Sequence, residues 1–325
     1  VTAQQAASRL KAASSILILT HTSPDGDTIG SAFGLKHGLE SLGKEVYVVC
    51  DDILPERLQF LADDAPSLSP SLLPEHFSPD LIVAVDIAAL SLSGAFGQSL
   101  AGKIDLRLDH HASGTPYAAE ECVIGNYGSC GELIFDILSL LNALSAEAAM
   151  PIYGAICSDT GCFRFSSVTP ETHRKAARLL EFGIPHSAIS ERLITNHTIA
   201  ETKALAVAYR SIHFLCNGKI AYLMFTNAMK EECGLHDENL GLINSLPRDI
   251  VGVSLSIVIK QKDDEPETFR ISMRTDETIE ANELCALFGG GGHARASGAR
   301  ITAASPEEAE HKIVNAVLAA LGWEA

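Results

Sequence analysis

The chain has 325 residues, 46% of them hydrophobic, and carries 24 basic against 41 acidic residues, a formal net charge of −17. This length and composition predict a globular chain of about two domains with substantial cores. The negative charge argues against a protein that coats long nucleic acid through a basic surface, but it does not exclude short anionic substrates bound at a local site.

We expect a cytoplasmic protein without a membrane partner. The N-terminal residues lack the basic stretch and long apolar run of a signal peptide, and no later apolar run approaches the roughly 20 residues of a membrane-spanning helix. The 8 cysteines are scattered without a Cys-x-x-Cys pair, and several lie in apolar segments. We therefore expect buried, reduced thiols.

The first half of the chain alternates predicted strands and helices. Short apolar runs predict strands, and longer amphipathic runs predict helices. The predicted strands are 16–20, 45–50, 81–86 and 104–109, and the predicted helices are 28–42, 131–144, 146–157 and 170–182. In the last helix, Thr169 is a candidate N-cap and Pro170 fits the first helical position. The alternation predicts an α/β domain with a mostly parallel sheet and helices on both faces.

The second half changes character. Residues 185–210 predict a helical connector, and beyond it the Asn217-Gly218 dipeptide between two apolar runs predicts a hairpin. Further strands are predicted at 251–260 and 268–274, and helical patterns recur around 231–246, 280–288 and 306–321. We therefore divide the chain into a first domain, a helical connector and a smaller mixed α/β domain, with bounds 1–184, 185–210 and 211–325.

Acidic and histidine residues follow the predicted strands directly. They are His21, Asp25 and Asp27 after the first strand, Asp86 after the third, and Asp109, His110 and His111 after the fourth. Ligands of open α/β sheets bind at the carboxyl ends of the strands, so we expect these side chains to converge. Taken alone, Asp86 is better explained as a residue that caps a turn, and Asp159, after a helical run, is equally well explained as a loop residue.

The combination points to a pair of metal ions. Carboxylate and imidazole ligands without thiolates favour Mn²⁺, with Mg²⁺ and Co²⁺ as alternatives. Two such ions about 3.5–4 Å apart are a recurrent device for cleaving phosphoesters. Because adjacent residues at a strand end point to opposite sides of the chain, we expect one of His110 and His111 to bind metal and the other to meet the substrate.

These motifs, in this order, resemble those of the DHH phosphoesterase superfamily. The resemblance rests on His21-Thr-Ser-Pro-Asp25-Gly-Asp27 with Gly30 and Ser31, then Asp86, the Asp109-His110-His111 triplet and Asp159. Ser272-Met-Arg274 and the later Gly289-Gly-Gly-Gly-His293-Ala-Arg-Ala-Ser297-Gly298 are similar to the signature of the DHH-associated domain. The resemblance therefore spans nearly the whole chain.

The resemblance implies roles for these residues. One ion would be held by His21, Asp25 and Asp86, and the other by Asp27, Asp86, His110 and Asp159. Asp86 would bridge the two ions, His111 would face the scissile phosphate, and Asp109 would orient the neighbouring histidine, so these three are the expected catalytic residues. The sequence departs from many relatives at residues 112–115, where an Asn often follows the triplet, and the substrate contacts of that segment are not carried over.

The length of the chain and its pair of domains most resemble the group of the superfamily that acts on very short RNA and on 3′-phosphoadenosine 5′-phosphate. The resemblance implies Mn²⁺-dependent hydrolysis of such RNA to mononucleotides and removal of the 3′-phosphate from the bisphosphate. One alternative is a phosphodiesterase acting mainly on linear dinucleotides from cyclic dinucleotide signalling. A catalytically silent nucleotide-binding regulator is disfavoured because every expected ligand is present. A monomer and a homodimer are equally compatible with the sequence.

Substrate binding is expected mainly from the second domain. The backbone N–H groups of Gly290, Gly291 and Gly292 can approach a phosphate closely, and His293 and Arg274 can supply charge-assisted hydrogen bonds. The simpler interpretation of the glycine run is a flexible surface loop. In the first domain, the sequence around Arg164 makes this arginine a further candidate for facing the substrate.

Overall fold

The computed structural model describes residues 1–112, 114–236 and 240–323, and the side chain of His293 lies outside this description. The chain folds as two compact units, Val1–Asn196 and His197–Ala325. The boundary between the units falls inside the segment predicted as a helical connector. No helix in the described ranges combines the length and the apolar character needed to cross a membrane.

The first unit is built on a sheet of five parallel strands in the order β2-β1-β3-β4-β5. The strands are β1 (Ser15–Leu19), β2 (Glu45–Val49), β3 (Leu81–Val85), β4 (Leu106–Asp109) and β5 (Glu120–Val123). The helices are α1 (Ala3–Ala12), α2 (Gly26–Glu40), α3 (Glu56–Gln59), α4 (Gly94–Ser99), α5 (Cys130–Leu141), α6 (Ala146–Asp159), α7 (Pro170–Leu180) and α8 (His186–Ser190). The predicted α/β fold with a parallel sheet is confirmed.

Both faces of this sheet are covered. In β1, Ile16 and Ile18 belong to the large core that includes α1, α2, α5 and α6, whereas Leu17 and Leu19 belong to a smaller core on the other face. This two-sided burial explains why β1 is a continuous apolar run. The predicted cap of α7 is also confirmed, because Thr169 accepts a hydrogen bond from the backbone of Thr172.

Helices α2 and α6 pack at very close range. A Cβ atom on Gly30 of α2 would lie 2.3 Å from the carbonyl oxygen of Pro151 and 2.8 Å from the backbone nitrogen of Ala155, both in α6. Only glycine permits this approach. The packing matters for the site because α2 carries Asp27 in its first turn and α6 ends at Asp159.

The second unit contains a mixed sheet of six strands in the order β10-β11-β9-β8-β7-β6. The strands are β6 (Ile212–Leu215), β7 (Ile220–Phe225), β8 (Leu255–Gln261), β9 (Thr268–Thr275), β10 (Gly291–His293) and β11 (Ala296–Thr302). The helices are α9 (Ile199–Arg210), α10 (Asn227–Cys233), α11 (Ala281–Ala286) and α12 (Pro306–Leu321). The predicted smaller mixed α/β domain is confirmed.

Some local predictions for this unit need correction. The helix predicted around 231–246 is wrong in its extent: α10 ends at Cys233, Gly241–Asp249 forms a 3₁₀ helix, and residues 237–239 lie outside the described ranges. Pro247, inside the 3₁₀ helix, has no backbone N–H to donate, which disfavours a continuous α-helix there. At the predicted hairpin, Asn217 and Gly218 have the expected positive φ angles of 55° and 84°.

Candidate metal centre

The first part of the site lies where β1 leads into α2. Asp25 is the N-cap of α2, and its Oδ1 accepts hydrogen bonds from the backbone N–H groups of Asp27 and Thr28 at 2.9 and 3.0 Å. Its other carboxylate oxygen lies 3.8 Å from Nε2 of His21. The carbonyl oxygen of Thr22 lies 2.8 Å from Nδ1 of His21. Because a carbonyl can only accept, Nδ1 carries the proton and Nε2 can act as a ligand.

Asp27 is completely buried in the first turn of the same helix. Its Oδ1 accepts hydrogen bonds from Ser31 Oγ and from the backbone N–H of Gly131, both at 3.0 Å. Its Oδ2 accepts a 2.7 Å hydrogen bond from the backbone N–H of Cys130. These two N–H groups belong to the first turn of α5, whose dipole favours negative charge. The fold thus places the Asp27 carboxylate against the N-terminus of α5.

Asp86 follows β3 and lies between the other groups. It adopts a left-handed backbone conformation with φ of 58°, which Asp tolerates better than most residues. Its backbone N–H donates to the carbonyl oxygen of Leu108, which ties the end of β3 to β4. Its Oδ2 lies 3.7 Å from Nε2 of His21, and its Oδ1 lies 3.6 Å from Nε2 of His110. One carboxylate therefore reaches both histidines.

His110 faces two further carboxylates. Its Nε2 lies 3.4 Å from Oδ2 of Asp159, at the end of α6, and 3.6 Å from Oδ2 of Asp27. On the other side of the ring, Nδ1 lies 3.2 Å from the carbonyl oxygen of Tyr127. As with His21, a carbonyl partner keeps the proton on Nδ1 and directs Nε2 to the carboxylates.

Three groups of potential ligands result, each with ligand atoms within 4.8 Å of one another. One joins Asp86, Asp109, His110 and His111, and the other two share no residue. We call these two the His21 triad (His21, Asp25, Asp86) and the His110 triad (Asp27, His110, Asp159). The His21 triad has the members of one ligand set that the resemblance implied, and the His110 triad has three of the four members of the other set, without Asp86. With Asp86 Oδ1 beside the His110 triad, the same carboxylate borders both groups.

The chemistry of these donors fits divalent cations. Asp86 Oδ1 and His110 Nε2 are buried atoms without a hydrogen-bond partner, which is costly unless a cation binds there. Burial, followed by repulsion from nearby carboxylates, raises the pKa of Asp27 and of Asp86 well above the usual value. Cations would offset this repulsion and keep the carboxylates ionised.

Asp109 binds the two histidines that follow it in the chain. Its Oδ1 accepts hydrogen bonds from the backbone of His110 at 2.6 Å and from the backbone and Nδ1 of His111 at 3.0 and 2.7 Å. Its Oδ2 accepts from Nε and Nη2 of Arg107, a buried side chain that also pairs with Glu121. Burial alone would raise the pKa of Asp109, but the bonds from His111 and Arg107 outweigh it and lower the pKa to about 2. Asp109 is therefore a fixed anion that orients His111.

The expectation that the two histidines point to opposite sides of the chain is wrong. Their ring centroids lie 4.5 Å apart, and Nδ1 of His111 is only 3.6 Å from Oδ1 of Asp86. Strand β4 ends at Asp109, so the alternation of a strand does not continue through the two residues that follow. Both rings consequently lie beside Asp86.

In the second unit, the glycine-rich segment is partly an edge strand. A Cβ atom on Gly290 would lie 2.2 Å from the carbonyl oxygen of Gly298, and Gly292 has φ of 144°, so both positions need glycine for backbone reasons. Gly291 differs, because nothing lies within 4 Å of a Cβ atom placed there. The side chain of His293 lies outside the described structure, so its predicted role stays a prediction.

The two predicted arginines lie in different units. Arg274 is in β9, where Nη1 donates to the carbonyl oxygen of Met273 at 3.0 Å. Burial, together with the positive charge of Arg248, lowers the pKa of Arg274. Arg164 lies in the turn after α6, where Nε donates to the carbonyl oxygen of Gly161 at 2.8 Å.

The second unit also has a basic pocket that sequence analysis missed. Strand pairing places Arg270 directly opposite Lys260 on one side and Arg300 on the other. These side chains line a cavity of about 520 Å³ together with Gly290 and Gly298. Like charges in register repel one another, and the buried Nε of Arg270 has no hydrogen-bond partner. An anion in the pocket would relieve both costs. The three cations are far apart in sequence, so only the strand register reveals the cluster.

Comparison with known families agrees with this architecture. Residues 15–158 match the model of the DHH family, N-terminal domain, and residues 217–322 match the model of the DHHA1 domain. A solved structure of an exopolyphosphatase-related protein from Bacteroides fragilis has a TM-score of 0.88 at 23% identity, covering 98% of this chain and 95% of that one. At this identity the likeness shows the fold.

Two curated relatives cover almost the whole chain. The bifunctional oligoribonuclease and PAP phosphatase NrnA of Thermus thermophilus is 30% identical over 93% of this chain and 89% of its own length. The probable bifunctional oligoribonuclease and PAP phosphatase NrnA of Streptococcus mutans is 28% identical over 90% of this chain and 91% of its own length. The chain therefore belongs to the DHH family of phosphoesterases, and it is a hydrolase that carries a DHHA1 domain after its DHH domain.

Proposed function

We propose that the protein is a Mn²⁺-dependent phosphoesterase that hydrolyses very short oligoribonucleotides to mononucleotides and removes the 3′-phosphate of 3′-phosphoadenosine 5′-phosphate. The observation that carries this proposal is the pair of ligand triads beside one shared carboxylate, Asp86. The names of the Thermus and Streptococcus relatives, which state both activities, support the choice of substrates.

In this proposal each triad holds one cation, and Asp86 contributes to both. A pair of divalent ions supplies an activated water and positive charge for the phosphoryl oxygens. The mixture of imidazole and carboxylate donors favours Mn²⁺, with Mg²⁺ and Co²⁺ as alternatives. The donors lie at the ends of strands and helices of one α/β unit. They therefore need little reorganisation when a cation binds.

His111 would contact the phosphate that is cleaved. Asp109 accepts a hydrogen bond from Nδ1 of His111, so the ring would approach a phosphoryl oxygen through Nε2. A hydrogen bond from this ring to a phosphoryl oxygen would stabilise the charge that builds up on the phosphate. Asp109 therefore acts through His111 and is not itself a ligand in this proposal.

We further propose that residues 1–184 form the catalytic domain, 185–210 the connector and 211–325 the substrate-binding domain. The basic pocket supports the last assignment, because Lys260, Arg270 and Arg300 give an otherwise acidic protein a local site for phosphate. Arg274, the glycine-rich segment and His293 are the proposed contacts from the sequence motif. Arg164 is the proposed contact of the first domain.

The test is product analysis with purified protein and MnCl₂. Labelled RNA of roughly two to five nucleotides is compared with RNA of roughly twenty-four, a length that exceeds a typical binding cleft, and with 3′-phosphoadenosine 5′-phosphate. We expect fast hydrolysis of the shortest RNA and of the bisphosphate. Efficient digestion of the long RNA would contradict the proposal and indicate a processive exonuclease. A strong preference for linear dinucleotides over longer short RNA and the bisphosphate would favour the alternative phosphodiesterase.

A further inference from the structure

The two histidines of the metal centre are oriented in different ways. Nδ1 of His21 is paired with the carbonyl oxygen of Thr22, the adjoining residue, at 2.8 Å. Nδ1 of His110 is paired with the carbonyl oxygen of Tyr127, 17 residues further along the chain, at 3.2 Å. The orientation of His21 is thus fixed within its own loop. The orientation of His110 depends on whatever holds Tyr127 in place.

Tyr127 lies in the connection between β5 and α5, outside regular secondary structure. Its backbone N–H donates to the carbonyl oxygen of Ile124 at 3.1 Å. Its hydroxyl donates to Oδ2 of Asp136 in α5 at 2.6 Å. The next residue, Gly128, donates its N–H to Oε1 of Glu132 at 2.9 Å. Side chains of α5 therefore hold the carbonyl that His110 uses.

A buried ammonium group connects these contacts. Lys175 of α7 is 2% exposed, and its Nζ donates to Oδ2 of Asp136 at 2.7 Å and to the carbonyl oxygen of Glu132 at 3.2 Å. The same Nζ lies 3.9 Å from the centroid of the Tyr127 ring. The Glu132 carboxylate, 3.8 Å from Nζ, is also buried. Without Lys175, the buried Glu132 carboxylate and the partly exposed Asp136 carboxylate would lose their ion-pair partner, which is unfavourable.

We propose that Lys175 is a positioning residue for the His110 triad, acting through Asp136 and Tyr127 on the orientation of His110. The inference rests on the proposed metal-binding function. It predicts an asymmetry: loss of Lys175 weakens cation binding by the His110 triad and leaves the His21 triad nearly unchanged. A role in general stability alone predicts no such difference.

The experiment titrates chelator-treated protein with MnCl₂ by calorimetry and follows the spin-coupled Mn²⁺ pair by electron paramagnetic resonance. We expect the wild type to bind two ions. Lys175→Met keeps most of the side-chain length and removes the charge. In this variant we expect one ion to bind as in the wild type and the affinity for the other ion to fall by about ten-fold or more. The signal of the paired ions should then be lost at low metal concentration.

Lys230→Met is the matched control. The Lys230 side chain is also 2% exposed and donates to Asp263 at 2.8 Å, but it belongs to the second unit. Removing it also takes a buried ammonium group away from its carboxylate partner. We expect a lower melting temperature and unchanged Mn²⁺ binding.

Tyr127→Phe is the milder second variant, because it removes the hydroxyl bond to Asp136 and keeps the ring and the carbonyl. We expect a smaller weakening of the same ion. The inference is overturned if both variants bind two ions with wild-type affinity, or if Lys175→Met weakens the two ions equally. A wild-type protein that binds no Mn²⁺ overturns the proposed function and this inference together, which separates that failure from a failure of the inference alone.

Discussion

Oδ1 of Asp86 and Nε2 of His110 lie 3.6 Å apart, and both atoms are buried without a hydrogen-bond partner. The distance is too long for a hydrogen bond, and two unpaired polar atoms facing each other in the protein interior are unfavourable. A cation bound by both atoms removes this cost. Because Asp86 also reaches His21, it is the position where one substitution affects both triads.

Asp86→Asn is expected to abolish activity. The substitution keeps the size of the side chain but removes the negative charge that both cations would share, so we expect hydrolysis to fall on the order of a thousand-fold or more. Asp51→Asn is the control, since Asp51 follows β2 of the same sheet and binds only the backbone of Phe96 in the described contacts. Turnover of Asp86→Asn near the wild-type rate at saturating Mn²⁺ would refute the site.

Metal removal is expected to change how stability depends on pH. Burial lowers the pKa of His110, but Asp159 and Asp27 outweigh it and raise the pKa to about 9, and the pKa values of Asp27 and Asp86 are raised as well. Groups with a raised folded pKa stabilise the fold at low pH and lose that contribution as pH rises through the folded value. The free energy of unfolding of the metal-free protein should therefore fall between about pH 4, the unfolded pKa of Asp, and about pH 9.

The Mn²⁺-loaded protein should behave in the opposite way over this range. Cations bind the deprotonated ligands and bind only the folded state, so their stabilisation increases as the ligands lose protons. Melting temperatures of chelator-treated and Mn²⁺-loaded protein, measured across this pH range, should diverge as pH rises. Parallel curves would show that the buried carboxylates do not bind the ion.

Arg107→Met is expected to lower kcat and leave KM and Mn²⁺ binding nearly unchanged. Arg107 binds Asp109, which belongs to neither triad but holds His111. Losing the guanidinium should misplace His111 and reduce kcat by about ten-fold or more. Arg107→Lys should restore part of the rate, because it keeps the charge but not the two-pronged geometry.

Arg9→Met is the control for Arg107. Arg9 forms an ion pair with Glu120 at 2.9 Å on the surface of the same unit, and surface pairs contribute little. Its kinetic constants should match the wild type. A proportional loss of Mn²⁺ binding in Arg107→Met would show that Arg107 supports the ligands themselves and would contradict the assigned role.

The sequence located the candidate ligands because their position follows from topology. Asp86 and Asp109 end apolar strands, and the ends of parallel strands meet at one edge of a sheet. Asp159 ends α6 and was ambiguous alone, since nothing in its local sequence shows that α2 and α6 pack at the distance that Gly30 permits. Its place in the site depends on contacts between distant segments.

Other features of the two units had no sequence signal. Tyr127 contributes a backbone carbonyl, which every residue has. Arg107 is one arginine in a strand of four residues, and nothing in that short sequence shows that it binds Asp109. The basic pocket depends on register, because a shift of one residue would turn Arg270 to the other face of the sheet. The glycine run indicates that a phosphate can approach the backbone, but it does not indicate at which glycine.

Gly291→Ala tests that access. Gly290 and Gly292 are explained by close packing and by backbone conformation, whereas a methyl group on Gly291 would meet nothing within 4 Å. We therefore expect Gly291→Ala to fold with a wild-type melting temperature. If a substrate phosphate approaches this backbone, the methyl group should obstruct it and raise KM several-fold while kcat changes little.

Gly290→Ala is the contrasting variant. Its Cβ atom would lie 2.2 Å from the carbonyl oxygen of Gly298, so we expect lost stability on the order of a few kcal/mol before any effect on binding. Thermal unfolding and steady-state kinetics on short RNA and on 3′-phosphoadenosine 5′-phosphate separate the two cases. An unchanged KM of Gly291→Ala for both substrates would mean that no phosphate contacts this segment, and the basic pocket around Arg270 would then have to bind the substrate without it.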